Sequence, residues 1–196
     1  MSRVQYYCAT TLDGYIADAD DGIQWLTGYE GSFKGEGAEA PPMTEGGSYE
    51  RFYQDVGGLV SGSVTYEFVL KHMSGEAAWP YPGKPCWVLS SRDLPTPPGD
   101  GVDVRIKKGE VTDLFDEMLT SAGERNLWVV GGGDVASQFA DAGLLDEVIV
   151  TVVPVVLGEG KQLFERPLPA PMQLSGARTF TSGMVELRYE LGSDGG

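Results

Sequence analysis

A run of three glycines at the end of an apolar segment constrains the fold of this chain more than any other feature. Leu127–Val130 is apolar and ends in two β-branched valines, which is typical of a strand in the centre of a sheet. Gly131, Gly132 and Gly133 follow at once, and apolar residues then recur at the spacing of a helix. A strand that turns directly into a helix is the repeating unit of an α/β sheet, so we predict that fold class.

The same alternation extends over most of the chain. Short apolar runs predict eight strands, at Val4–Ala9, Leu59–Ser61, Cys86–Ser90, Val102–Ile106, Leu127–Val130, Val148–Val156, Met172–Phe180 and Met184–Leu191. Apolar periodicity and turn residues predict about four helices, from Ser48 to the stop signal Gly57-Gly58, over Val64–His72, from Val111 to Gly123, and from Val135 to Ala142. We therefore expect a single domain over residues 1–196, with an eight-stranded, mixed but mostly parallel sheet flanked by these helices.

The predicted sheet ends in an antiparallel hairpin. Thr181–Gly183 separates the last two predicted strands and is typical of a hairpin turn. Pro154 lies inside the β-branched strand Val148–Val156 and indicates a bend or an edge position, although an interior strand is equally consistent with the composition. Residues 30–47 are rich in glycine and poor in apolar periodicity, so we expect an irregular or mobile loop there and a short tail over residues 192–196.

The charge of the chain narrows the classes of partner. Twenty-nine acidic residues against 14 basic ones leave a formal charge of −15. A surface this negative repels phosphate backbones and anionic lipids, so we expect neither a nucleic acid nor a membrane as partner. The sequence has no signal-peptide pattern, and Cys8 and Cys86 lie in apolar runs that favour buried, reduced thiols. We therefore expect a cytoplasmic protein, and the lone His72 gives no reason to expect a metal site.

The glycine run also predicts chemistry. Glycines at a strand-to-helix junction expose free N–H groups at the helix N-terminus, where the helix dipole favours an anion such as a pyrophosphate. The alternative is a plain tight turn. Open α/β sheets bind their ligands at the carboxyl ends of strands, which favours the anion site. The spacing is not that of a Rossmann fingerprint.

Two other predicted strand ends carry small polar residues. Ser61–Thr65 opens into a helix, and its hydroxyl groups suit a phosphate or a ribose, although Ser63 could simply cap that helix. Ser90, Ser91 and Arg92 follow another strand. The Arg92 guanidinium could grip a nucleotide phosphate, or it could form a surface ion pair that contributes little.

The segment after the first strand contains the candidate substrate residues. Asp13 precedes a glycine, so its carboxylate could serve a turn or could contact a substrate. Trp25 and Glu30 lie in the irregular stretch that follows. Trp25 could pack beneath that loop and Glu30 could be solvated, or both could line a small-molecule pocket.

Six segments along the chain are similar, in their sequence and in their order, to segments of the dihydrofolate-reductase-like family. The chain resembles most the C-terminal reductase domain of the bifunctional riboflavin-biosynthesis enzyme and its stand-alone bacterial relatives. The resemblance covers nearly the whole chain and is carried by Tyr6–Ala17, Ser61–Glu67, Trp79–Pro85, Val129–Gly133, Leu145–Glu147 and Pro154–Gly160.

The resemblance implies a reductase that uses NADPH. The positions that match the family's coenzyme contacts are Ala9, Ile16, Gly62, Thr65, Ser90, Ser91, Arg92, Gly131, Gly132, Gly133, Asp134 and Val135. It places Asp13, Trp25, Gly158 and Glu159 on the substrate side, with Asp13 and Glu30 as candidate catalytic carboxyls. It also implies a homodimer, formed through a sheet edge or the terminal hairpin.

One departure from the family pattern affects the coenzyme. Ser63 stands where many relatives have an arginine, so the contact to the 2′-phosphate is missing and NADH becomes possible, unless Arg92 compensates. The expected reaction is reduction of a C=N bond in a small heterocycle, as in 5-amino-6-(5-phosphoribosylamino)uracil. The alternatives are a dihydrofolate or pterin reductase, a reductase of an unrelated imine or carbonyl compound, and a non-catalytic nucleotide-binding protein.

Overall fold

A computed structural model describes residues 2–29, 48–72, 79–180 and 182–192 of the chain. The strands are β1 (Val4–Thr11), β2 (Tyr15–Ala17), β3 (Val56–Gly62), β4 (Pro85–Leu89), β5 (Asp103–Lys107), β6 (Asn126–Gly131), β7 (Glu147–Val153), β8 (Lys161–Gln162), β9 (Gln173–Thr179) and β10 (Val185–Glu190). The helices are α1 (Gln24–Thr27), α2 (Ser48–Asp55), α3 (Ser63–His72), α4 (Val111–Ala122) and α5 (Gly133–Asp141).

Eight of the strands form one mixed sheet in the order β5-β4-β3-β6-β1-β7-β10-β9. The first six strands of this order pair in parallel. The two antiparallel pairs of this sheet are β7 with β10 and β10 with β9. The predicted α/β class, the eight-stranded sheet and the C-terminal antiparallel hairpin are therefore confirmed.

Alternate residues of the central strands face two different apolar layers. In β1, Tyr6 packs into the layer beneath α4 and α5, whereas its neighbour Tyr7 packs with Phe52 of α2 on the opposite face. In β6, Val129 and Trp128 divide between the two faces in the same way. Because helices cover both faces, the central strands read as continuous apolar runs, which is why the sequence identified them.

The structure corrects two details of the prediction. The strand β7 ends at Val153, and it lies between β1 and β10. Pro154 therefore marks the end of an interior strand, not a bend within it or an edge position. The two edge strands of the large sheet are β5 and β9, and β9 belongs to the terminal hairpin. A homodimer through that edge stays a prediction.

The pair Gly57-Gly58, predicted to stop the helix, lies inside β3 instead. Helix α2 already ends at Asp55, before the two glycines. A Cβ atom on Gly57 would lie 2.2 Å from the Ala122 carbonyl oxygen, and one on Gly58 would lie 3.1 Å from the Trp87 ring. The strand needs glycine here because α4 and a buried tryptophan approach its backbone closely.

Three short elements were not predicted. Helix α1 is one turn long, and β2 pairs with β8 in a separate two-stranded sheet, with Tyr15 opposite Gln162.

None of the helices in the described part of the chain is both long and apolar enough to cross a bilayer. Cys8 and Cys86 are free thiols, and burial raises the pKa of Cys86 to about 12.

The close packing at Gly57 predicts a measurable loss of stability. Gly57→Ala should lower the free energy of unfolding by about 1–3 kcal/mol, because the new methyl group must displace the α4 backbone. Gly176→Ala is the matched control in β9, where the added Cβ would meet only Arg188 at an ordinary 3.7 Å. Urea denaturation measures both variants. Equal stability of the two would contradict the close approach described for Gly57.

Candidate active site at the carboxyl edge of the sheet

The parallel pairing brings the predicted polar strand ends to one edge of the sheet. Gly62, the last residue of β3, pairs with Leu89, the last residue of β4. Ser61 pairs with Gly131, the last residue of β6. The segments that follow β3, β4 and β6 therefore start side by side, at the edge where open α/β sheets bind ligands.

Gly62, Thr65 and the glycine run lie against one another. A Cβ atom on Gly131 would lie 3.5 Å from Thr65 Oγ1, and one on Gly132 would lie 3.7 Å from the same atom. A Cβ atom on Gly62 would lie 3.3 Å from the Val135 side chain and 4.0 Å from the backbone nitrogen of Gly132. Gly131 has a φ of 142°, which strongly favours glycine, and its peptide bond to Gly132 is cis.

The three glycines differ in what they contact. Gly131 and Gly133 are buried, whereas Gly132 is partly exposed. A Cβ atom on Gly133 would lie 2.4 Å from the Gln162 carbonyl oxygen, so this glycine serves packing against β8. A Cβ atom on Gly132 would have only Thr65 Oγ1 within 4 Å. The space beside the Gly132 backbone is therefore open, and a ligand could approach the backbone there.

The glycine run also opens α5, whose N-terminal N–H groups are the best candidates for binding an anion. Gly132 is the N-cap, and no side chain caps the helix there. The first helical N–H groups of an uncapped helix lack intrahelical partners and carry its positive dipole end. The Asp134 side chain does not compete for them, because its carboxylate accepts hydrogen bonds from Gln138 Nε2 at 2.7 Å and from Arg166 Nη1 at 2.9 Å.

The loop after β4 is held by its own hydrogen bonds. Ser90 Oγ accepts from the Arg92 backbone nitrogen at 2.9 Å and donates to the Arg92 carbonyl at 3.1 Å. The Arg92 guanidinium donates two hydrogen bonds to the Glu67 carboxylate of α3, at 3.0 and 2.6 Å. This carboxylate raises the pKa of Arg92. Ser91 is exposed on the same loop.

The predicted nicotinamide side is formed by β1, β2 and the loop after β7. Ala9 is buried within β1, and Ile16 lies half-buried in β2. A Cβ atom on Gly160 would lie 2.2 Å from the Ala17 carbonyl oxygen, so the loop containing Gly158 and Glu159 packs directly on β2. Glu159 itself is exposed.

Asp13 ties the turn after β1 to that loop. Its carboxylate accepts hydrogen bonds from Thr11 Oγ1 at 2.6 Å, from the Gly158 backbone nitrogen at 2.7 Å and from the Leu157 backbone nitrogen at 3.1 Å. These donors, Thr11 first, lower the pKa of the exposed Asp13 carboxyl. They favour the ionised acceptor form, which holds two loops together but has no proton to give.

Trp25, predicted on the substrate side, and Glu30, predicted as a catalytic carboxyl, complete the set of candidate residues. Trp25 lies in α1 and packs, half-buried, against Val153, Phe180 and Met184. Its indole nitrogen is buried without a hydrogen-bond partner among the described residues. Glu30 lies outside the described residues.

Comparison with known proteins places the chain in a family. The family model of the RibD C-terminal domain matches residues 84–186. The chain is 34% identical to YwjB of Bacillus subtilis strain 168 over 184 residues, which is 93% of this chain and 94% of YwjB. It is 29% identical to the riboflavin biosynthesis protein RibD of Corynebacterium ammoniagenes over 168 residues, covering 82% of this chain and 45% of that protein.

A solved structure supports the same grouping. A protein of Shewanella sp. PV-4 that is named for riboflavin biosynthesis superposes with a TM-score of 0.75 at 28% sequence identity, covering 97% of this chain and 98% of that one. The fold, the sequence relatives and the matched family model lead to one conclusion. This chain belongs to the RibD C-terminal domain family, whose members have a reductase-like fold of the dihydrofolate-reductase type.

Proposed function

We propose that this protein reduces a C=N bond in a small heterocyclic substrate with NADPH or NADH, as a reductase of 5-amino-6-(5-phosphoribosylamino)uracil or a similar ribosylamine does. One observation carries the proposal. The uncapped N-terminus of α5 opens at the partly exposed Gly132, beside Gly62 and Thr65, at the carboxyl edge of a parallel sheet.

The residues at this edge suit the diphosphate bridge of a dinucleotide. A diphosphate needs several N–H donors and close access to the backbone, and a helix N-terminus after glycine supplies both. A side chain at position 132 would project into that space. The formal charge of −15 does not prevent binding of an anion, because the helix dipole and oriented amides make this edge locally positive.

The bound coenzyme would supply a hydride from C4 of its nicotinamide to the carbon of the C=N bond. The proposed role of the protein is to orient the nicotinamide ring against the substrate ring and to exclude water from the space between them. Ala9, Ile16 and the loop at Gly158 are the residues proposed to flank the nicotinamide. Asp13 is proposed as a positioning residue, because its carboxylate fixes that loop through the N–H groups of Leu157 and Gly158. Glu30 or a bound water then remains as the proposed source of the proton for the substrate nitrogen.

The coenzyme preference is proposed to depend on Arg92. Ser63 offers no positive charge to a 2′-phosphate, and the Arg92 guanidinium is occupied by both oxygens of Glu67. A 2′-phosphate would have to displace this carboxylate, whereas the 2′-hydroxyl group of NADH would not. We therefore propose that the protein accepts both coenzymes.

Coenzyme binding gives the first test of the proposal. NADPH at about 100 times its dissociation constant should raise the free energy of unfolding by about 2.7 kcal/mol. Gly132→Asp should remove this stabilisation, because the carboxylate occupies the diphosphate space and repels it. Gly143→Asp is the control, since it adds the same charge at an exposed turn after α5 with a φ of 66°, a conformation that aspartate tolerates. Thermal unfolding with and without NADPH or NADH measures the effect. Stabilisation that survives in Gly132→Asp would contradict the diphosphate assignment, and stabilisation without turnover on the ribosylamine would contradict the reductase.

The pH dependence of turnover gives the second test. Asp13→Asn should lower kcat about tenfold by loosening the loop at Gly158, with the same ratio to the unchanged protein at every pH from about 5 to 9. The ratio is constant because the lowered pKa of Asp13 keeps its carboxylate ionised throughout this range. Asp146→Asn is the control, since Asp146 also accepts a backbone hydrogen bond, from Val4 at 2.7 Å, but lies before β7 at the other edge of the sheet. Loss of a titration step from the pH profile of Asp13→Asn alone would contradict the positioning role and make Asp13 the acid.

A further inference from the structure

Two threonines end the apolar strand β1, and their side chains are almost fully buried. Thr10 and Thr11 are 4% and 1% exposed, and they lie opposite Val152 and Val153 of β7. Valine has nearly the shape of threonine and would fill these positions without taking a hydroxyl group out of water. A buried hydroxyl group is costly unless it is hydrogen-bonded, so the bonds that these two groups make indicate their role.

Both hydroxyl groups bind the backbone of Tyr15, the first residue of β2. Thr11 Oγ1 accepts a hydrogen bond from the Tyr15 backbone nitrogen at 3.0 Å. Thr10 Oγ1 donates to the Tyr15 carbonyl oxygen at 3.1 Å, and the Thr11 carbonyl oxygen lies 3.2 Å from the same hydroxyl group. The strand β2 belongs to the two-stranded sheet with β8, outside the large sheet. Side-chain hydrogen bonds from the threonine pair therefore tie β2 to β1.

Thr11 also connects this turn to the loop after β7. Its oxygen accepts from Tyr15, and its own hydrogen is donated to Asp13 Oδ1 at 2.6 Å. The same carboxylate accepts from the Gly158 backbone nitrogen at 2.7 Å. One buried hydroxyl group thus links the start of β2 to the loop that contains Gly158.

We propose that Thr11 is a positioning residue for hydride transfer, an inference that rests on the reductase activity proposed above. Ile16 directly follows Tyr15, and Ile16 and the loop at Gly158 are among the residues proposed to flank the nicotinamide. The Thr11 hydroxyl group holds both of them in place. Because Thr11 is 1% exposed, it acts through these two elements and not by contact with a ligand. Its loss should slow the reaction of the bound molecules, whereas coenzyme affinity depends on the diphosphate contacts at α5.

Thr11→Val tests the proposal, because valine keeps the shape of the side chain and removes the hydroxyl group. With NADPH and 5-amino-6-(5-phosphoribosylamino)uracil, we expect kcat to fall at least about tenfold, since a small misplacement of reacting groups is enough for such a loss. The dissociation constant for NADPH should not change. Thr11→Ser keeps the hydroxyl group and should recover most of kcat. Thr179→Val, at an exposed position of β9, is the matched control and should leave kcat unchanged.

Single-turnover oxidation of NADPH separates positioning from a general loss of structure, because it isolates hydride transfer from product release. Its rate constant should fall in Thr11→Val. A fraction of unfolded protein would instead lower the amplitude and leave the rate constant unchanged. Thr10→Val removes only the bond to the Tyr15 carbonyl oxygen and should lower the same rate constant by a smaller factor.

A double variant tests the route through Asp13. In Thr11→Val/Asp13→Asn, the rate constant should be no lower than in Thr11→Val alone, because both changes break the same link to Gly158. Two losses that multiply would overturn the inference. So would an unchanged rate constant in Thr11→Val, or a Thr11→Ser variant as slow as Thr11→Val, and each of these results would leave the proposed reductase standing. Absence of turnover in the protein without substitutions, with either coenzyme, would contradict the reductase itself.

Discussion

The close approach of α3 to the glycine turn is the contact on which the candidate active site depends. Thr65 Oγ1 lies within 3.5 and 3.7 Å of the positions that Cβ atoms would take on Gly131 and Gly132. Parallel pairing of β3 with β6 sets this distance, because it fixes the ends of both strands at one edge. The strand β6 can therefore turn into α5 without a side chain in the way, and the first N–H groups of α5 face the edge uncapped.

The large sheet could be predicted from sequence because its strands are covered on both faces and read as apolar runs. The elements that could not be predicted are stabilised by distant contacts. The strands β2 and β8 are three and two residues long, and the Leu163 backbone nitrogen donates to the Gly14 carbonyl beside them. Gly57-Gly58 has the composition of a helix stop, and only the approach of Ala122 and Trp87 shows why β3 contains two glycines.

The candidate site also has a part that could be predicted from the sequence and a part that could not. Gly62, Thr65 and the glycine run could be grouped from sequence, since strand ends of a parallel sheet meet at one edge. The surroundings of Asp13 could not, because Leu157 and Gly158, which donate to its carboxylate, lie 144 and 145 residues further along the chain. The pairing of Arg92 with Glu67 is also invisible to a pattern of residues. Both side chains have hydrogen-bond partners that only the folded chain brings to them.

Amide hydrogen exchange in the first turn of α5 tests the central claim most directly. The account predicts that saturating NADPH slows exchange at Gly133, Asp134 and Val135, because their N–H groups then donate to the diphosphate. Exchange in the first turn of α4 should not change, because that turn is capped by its own residues: Glu110 is the N-cap, and its backbone nitrogen donates to Asp113 Oδ2. Unchanged exchange at the first turn of α5 in coenzyme-saturated protein would contradict the account.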